Sequence, residues 1–312
     1  MIYEALLLAS EVILSAYPIL IKLVDTSITF QTGLRMILYT VLATFGAFIS
    51  GSPILAQNIL SVETLATGAL NLLHVGASYT AFEQLTAGNA MALFYTYPVW
   101  NIVGSALVYG ETIPMRSLPW LGLAVAGAVM LSQPTIKNWT AIGVAAALTA
   151  ALTETGIYLW FKKTKTKTGT GAAEATVAGT TEATGAGTTE DEHSDQPWTK
   201  MAQMYGSSGI LWIVGITIAL SLGYLSKSAF KLSTGGLGAI VAFNSFIGFV
   251  GYALRFYIIP KVSTIAFSAM SFFGVLSAYG LGWLFMGESA TAMQAAGAAA
   301  IIAANAVLLR NA

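Results

Sequence analysis

The chain has 312 residues, 56% of them hydrophobic and only 9% charged, with a formal net charge of zero and a mean hydropathy of +0.72. Soluble domains carry about 25% charged residues, so this composition excludes a soluble enzyme, a nucleic-acid binder and a disordered scaffold. The absence of cysteine excludes a disulfide framework, a thiolate nucleophile and a Cys-type metal site. Nothing in the sequence calls for a cofactor.

A helix crossing about 30 Å of hydrocarbon needs about 20 mostly apolar residues, because its backbone must satisfy its own hydrogen bonds. Ten runs meet that requirement. The first five lie at about 3–23, 29–50, 62–82, 86–108 and 116–132, and the second five at about 139–161, 201–224, 236–259, 262–285 and 291–309. Their continuity excludes the alternating strands of a membrane barrel. The first run carries Glu4 and Glu11, with no basic leader and no small-residue cleavage site before Lys22. It is expected to be a retained helix and not a signal peptide.

Ionisable groups inside a membrane are expensive and by default functional. In the first span Glu11 lies roughly 12 Å deep at 1.5 Å per residue, beyond the reach of a snorkelling carboxylate. It is expected to be protonated, paired or facing water, and suits proton coupling. Tyr17-Pro18 follows it. Arg35, about six residues into the second span, either snorkels outward or faces a carboxylate, and is a candidate solute-binding cation. His74, past the middle of the third span, is either a proton relay or a packing histidine. The fourth span contains Asn89 and the run Tyr95-Thr96-Tyr97-Pro98. Proline there frees the Phe94 carbonyl and kinks the helix, leaving polar groups beside two tyrosines at mid-depth. Glu154 in the sixth span is a second, weaker carboxylate candidate for proton coupling, and Asn244 in the eighth is polar and intramembrane. Arg255 is close enough to the end of the eighth span to snorkel. Glu4, Glu63, Glu83, Glu111 and Glu288 sit at helix ends, where interface solvation suffices. The small residues from Gly122 to Gly127, and Ala295, Ala299 and Ala303 at a spacing of four, are expected to serve helix packing; a homodimer is another use for such faces.

Lys162 to Pro197 is the one long polar stretch. It opens on Lys162, Lys163, Lys165 and Lys167, continues in Thr, Gly and Ala, and ends in Glu190, Asp191, Glu192 and Asp195. It is expected to be a disordered tether. Arg116, the four linker lysines, Lys200, Lys261 and Arg310 fall on one side of the membrane, against Lys22, Lys137, Lys227 and Lys231 on the other. The positive-inside rule then makes both termini and the linker cytosolic. Asn138-Trp139-Thr140 is a glycosylation sequon, but it abuts a helix in a short loop and is expected to stay unmodified.

The chain also resembles itself. Leu85 to Glu111 reads LTAGNAMALFYTYPVW…LVYGE, and Val262 to Glu288 reads VSTIAFSAMSFFGVLS…LFMGE. Aligned without a gap, Thr86 meets Ser263, Ala92 meets Ala269, Tyr95 meets Phe272, and Gly110-Glu111 meets Gly287-Glu288. Each Gly-Glu precedes a helix rich in small residues. The organisation is a first five-helix repeat over 1–133, a sixth helix opening the second repeat over 134–161, the linker over 162–197, and helices seven to ten over 198–312. Because five is odd, the second repeat must be inserted upside down. The expected fold is therefore an all-α integral membrane protein of ten transmembrane helices in two inverted five-helix repeats.

Ten helices in five-plus-five halves, with paired Gly-Glu ends on the fourth and ninth, resemble the EamA-like branch of the drug/metabolite transporter superfamily. The resemblance implies a central solute cavity enclosed by helices 1–4 and 6–9, with helices 5 and 10 outside it. It also sets aside phosphorylated substrates: the sugar-phosphate branch holds phosphate with a Lys-Arg pair in the ninth helix, and here that helix has no internal cation. The expected function is a carrier moving a small organic solute by alternating access, driven by exchange, the solute gradient or protons. A neutral or zwitterionic metabolite, such as an amino acid or nucleoside, fits the sparse charge. Tyr17, Arg35, His74, Asn89, Tyr95, Tyr97 and Asn244 are the solute-binding candidates, and Glu11 and Glu154 the proton-coupling ones. An intramembrane enzyme lacks catalytic partners for its single intramembrane histidine. A passive channel usually shows a filter or charged rings, which this sequence does not display; a passive channel and a non-transporting scaffold on the same fold are the alternatives. The expected partners are the solute and the lipid bilayer, without nucleic acid.

Overall fold

The computed structural model describes residues 2–17, 24, 26–52, 56–85, 87–133, 139–163, 197–225, 230, 234–286 and 291–311. These are overwhelmingly helical, with no strand among the described residues. In chain order they form α1 (Ile2–Leu14), α2 (Ile28–Ile49), α3 (Val62–Gln84), α4 (Ala87–Phe94), α5 (Tyr97–Tyr109), α6 (Leu118–Ser132) and α7 (Ala141–Lys162). Then follow α8 (Pro197–Ser221), α9 (Thr234–Ala242), α10 (Phe249–Ile258), α11 (Thr264–Ser271), α12 (Phe273–Met286) and α13 (Ala292–Asn311), with α9 running into α10 through a π-helical stretch, Phe243–Gly248. The starts obey local chemistry. Ser27, Ser61, Thr140 and Ser263 accept hydrogen bonds from the otherwise orphaned amides of Phe30, Thr64, Gly143 and Ala266.

Eight helical segments among the described residues are long and apolar enough to cross a bilayer: 28–49, 89–109, 115–132, 141–162, 197–221, 235–261, 264–281 and 292–310. The remaining two expected spans differ for distinct reasons. The first is described as helix only over thirteen residues, Ile2–Leu14, and Pro18 to Leu23 lie outside the described residues. The third is a full 23-residue helix, α3, but it carries Thr67, Asn71 and His74, all buried against other helices. A helix enclosed by protein need not be apolar all round. The linker core 164–196, Asn138 and Glu288 lie outside the described residues.

The helices at the expected fourth and ninth spans are each broken. α4 ends at Phe94 and α5 begins at Tyr97, as Pro98 requires, because proline has no amide to donate. α11 ends at Ser271 and α12 begins at Phe273, and Ser271 is the residue that the repeat alignment pairs with Phe94. The two breaks meet in the interior. Tyr95 and Phe272 share one core cluster, and a β-carbon on Gly274 would collide with the Tyr95 hydroxyl.

α6 and α13 pack mainly on each other, α3 on α7, α8 on α2 and α3, and α1 on α10, α11 and α12. A β-carbon on Gly297 would stand 2.6 Å from the Gly127 carbonyl oxygen, so the α6 and α13 backbones touch. Gly297, Ile301 and Ala304 are buried on the α6-facing side, whereas Ala295, Ala299 and Ala303 are exposed. The expectation that the alanine series packs helices therefore fails: a spacing of four defines a face but not which neighbour it meets. Gly122, likewise, is exposed with nothing near it.

One end of the bundle is sealed by polar contacts. Lys162 bridges to Glu111 at 2.5 Å and also contacts Thr264, which donates to Glu111 at 2.5 Å. Lys163 and Trp160 reach Glu63, and Lys200 donates to the Lys163 carbonyl. Glu111 is thus paired and not merely solvated at a helix end. Burial opposes its ionisation, but the Lys162 ammonium and the Thr264 hydroxyl outweigh that and hold its carboxyl below the usual carboxylate range. Just inside, the rings of Phe161 and Phe256 stack at 3.9 Å, and Tyr158 donates to Thr264.

Candidate functional site

Glu154 lies eight residues before Lys162 on α7, about 12 Å along the helix from the sealed end. Glu11 on α1 and Arg255 on α10 arrive at the same level because α1 packs along α10. Arg255 bridges the two acids: Nη1 stands 2.9 Å from Glu11 Oε1 and Nη2 2.7 Å from Glu154 Oε1. Ser271, the residue at which α11 ends, donates to Glu11 Oε1 at 3.4 Å. His74 on α3 extends the chain, with Nε2 3.3 Å from Glu154 Oε2 and Nδ1 3.1 Å from the Ala150 carbonyl. All four side chains are at most 5% exposed. Taking ions out of water costs several kcal/mol each, repaid only by close pairing, and this chain of contacts supplies that pairing.

Arg255 is the main residue that sequence reasoning missed. It does not snorkel; it turns inward. Four residues from a helix end is within reach of water, but two buried carboxylates offer a guanidinium closer partners. The signal was present in the sequence as two deep acids needing a cation. Above the guanidinium lie the rings of Tyr97 and Phe267, at 5.1 and 5.2 Å.

Arg35 meets neither expectation. It is buried at 2% exposure, so it does not snorkel, and among the described residues no carboxylate pairs with it. Tyrosine faces surround it instead, with Tyr252, Tyr17 and Tyr39 at 4.7, 4.8 and 5.2 Å from the guanidinium carbon. Tyr17 and Tyr39 touch through their hydroxyls, and Tyr17 donates to Asn244 Oδ1 at 3.0 Å. Asn244 sits in the π-helical stretch and donates to the Ile240 carbonyl. Gly248 in the same stretch leaves room for both hydroxyls, which a β-carbon would strike.

A cavity of about 60 Å³ lies between these two groups. Glu11, Glu154, Arg255 and His74 form one wall; Arg35, Tyr17 and Tyr252 form another; Tyr95 and Phe94, from the break in the fourth span, close a third. The volume admits a few waters and no organic solute. Of the sequence candidates, Tyr17, Arg35, His74, Tyr95, Glu11 and Glu154 line this cavity, while Tyr97 and Asn244 support it from behind. Asn89 is buried on α4 and does not line it. Tyr39 and Tyr252 were not singled out from sequence, because tyrosine is common in membrane helices and only the fold gathers these around Arg35. Among the described residues no group of three or more His, Asp and Glu could hold a metal ion.

The fold and the buried charged centre define a multi-pass helical membrane protein with an enclosed polar interior. Its first 133 residues match the family model of the EamA-like transporter family, part of the drug/metabolite transporter superfamily, a family of transporters and not of enzymes. No curated protein matches the chain. A solved structure titled "Crystal structure of protein" superposes with a TM-score of 0.70 at 11% identity, over 98% of this chain and 95% of that one. Similarity at that identity speaks for a shared fold alone.

Proposed function

We propose that the protein is a carrier that moves a small organic solute across a membrane by alternating access, built as ten spans in two inverted repeats. The family match over 1–133 supports transport of small molecules. The observation that carries the mechanism is the cavity itself: a small, water-sized space walled by ionisable side chains and by the broken fourth span, sealed from one end by the Glu111–Lys162–Thr264 contacts. A site of this kind must enlarge to take its solute, and parting those contacts opens it toward that end. The aligned breaks after Phe94 and Ser271 supply paired hinges, one in each half. Positive-inside reasoning places the sealed end in the cytosol, together with both termini.

Coupling to protons falls to Glu11, Glu154 and His74. Glu11 and Glu154 share one guanidinium, and His74 contacts the far oxygen of Glu154. A proton added to this chain neutralises a carboxylate or charges the imidazole, which rebalances the hold of Arg255 on α1 and α7. The test is counterflow in proteoliposomes with pooled amino acids, nucleosides and sugars, with and without a pH gradient. Saturable counterflow is the expected result; linear, non-saturable flux would sink the carrier reading in favour of a pore.

A further inference from the structure

We infer that Arg35 is the anion-holding element of the solute site, and that the cargo presents a carboxylate to it. This rests on the carrier reading and narrows its substrate class. The two buried arginines of the cavity differ in the anions beside them. Arg255 is ion-paired with two carboxylates at 2.9 and 2.7 Å, the second contact without hydrogen-bond alignment and its Nε unpartnered among the described residues. Arg35 has tyrosine rings on its faces, and its Nε and Nη2 have no hydrogen-bond partner among the described residues. Nε and Nη2 lie along one edge of the guanidinium, the edge whose two parallel N–H bonds match the two oxygens of a carboxylate. Arg35 lines the cavity and is buried at 2% exposure, so water at the protein surface does not satisfy that edge.

Charge counting agrees. Two carboxyl groups, Glu11 and Glu154, stand against two guanidinium groups, Arg255 and Arg35, so acids and arginines are equal in number around the cavity. Within that balance the two acids are committed to Arg255, which leaves Arg35 as the open pole. A carboxylate docked there brings one negative charge, which a proton on His74 beside Glu154 would offset. A phosphate ester brings up to two charges for one open cation, and a nucleoside or neutral sugar leaves the edge unpaired. Zwitterionic amino acids remain within the class, and nucleosides leave it.

The test uses the full chain in lipid nanodiscs. Thermal stabilisation is measured with acetate, pyruvate, benzoate, glycine and leucine, each against its primary amide, and with glucose, adenosine and glucose 6-phosphate. At least one acid should stabilise the protein where its amide does not. Arg35→Gln should weaken that binding at least ~30-fold, and Arg35→Lys, which keeps the charge without the fork, should fall between. If Arg35→Gln is not monodisperse, the acid–amide comparison in the wild type and the Arg35→Lys titration decide. No stabilisation by any acid, equal binding of acid and amide, selective binding of a neutral solute or the phosphate ester, or unchanged affinity in a folded Arg35→Gln would each overturn the inference. The carrier reading fails separately: acid binding without counterflow removes transport and leaves the anion site, whereas counterflow of neutral solutes alone does the reverse.

Discussion

Replacing Arg255 by methionine keeps most of the side-chain volume but removes the cation that touches both Glu11 and Glu154. At about 4 Å between charge centres and an effective dielectric of about 20, each pair is worth about 4 kcal/mol before desolvation. Burying the ions offsets most of that, so the intact triad adds little net stability. Breaking it is different, because two carboxylates are then left buried without the guanidinium that bridges them, and the expected loss is about 3–5 kcal/mol. Unfolding by SDS titration in mixed micelles would read that loss as a shift of the midpoint. Adding Glu11→Gln and Glu154→Gln to Arg255→Met removes the orphaned charges, and stability should return to within about 1 kcal/mol of wild type. A single Arg255→Met within about 0.5 kcal/mol of wild type would mean that the guanidinium reaches water, and the buried bridge would have to be abandoned.

Glu11→Gln and Glu154→Gln should each abolish pH-gradient-driven uptake while leaving counterflow measurable; gradient-driven uptake at wild-type rates would remove these carboxylates from coupling. The Glu111 carboxyl is held low in the folded protein, so its stabilising pairing is complete above the ordinary carboxylate value of about 4.3 and is lost as pH falls through the lowered value. Glu111→Gln should therefore flatten the acid limb of a plot of melting temperature against pH, and superimposable limbs would contradict the pairing. Gly297→Ala forces a β-carbon against the α6 backbone and should cost about 1–3 kcal/mol. Gly122→Ala, which meets nothing, should be neutral or gain up to about 1 kcal/mol; equal effects at the two sites would refute the close α6–α13 contact. A tag inserted at residue 180 should be reached only by cytosolic reagents.

The helices and the fourth-span break were legible because their causes are local. Twenty apolar residues announce a span, and Pro98 removes the amide that would continue the helix. The break at Phe272 has no proline, and only its alignment with Tyr95 pointed to it. Glu11 was legible from depth alone, since a short carboxylate cannot reach the interface from there. Arg255 was not, because distance from a helix end measures reach to water but says nothing of what waits on the inner face. The tyrosines around Arg35 come from the segment just after α1, from α2 and from α10, and no sequence period links residues 17, 39 and 252. Similarly, the alanine series on α13 was read as a packing face, when Gly297 and Ile301 on another face make the contact.

Alternating access is the central claim, and the sequence makes it directly testable because the chain contains no cysteine. A single cysteine in place of Ser78, on the cavity wall beside His74, can be probed with membrane-impermeant thiol reagents from either face of sealed proteoliposomes. The account predicts modification from both faces, with no passive leak of small solutes through the unmodified protein. Modification from one face only under every gradient applied, or modification accompanied by a steady leak, would contradict it.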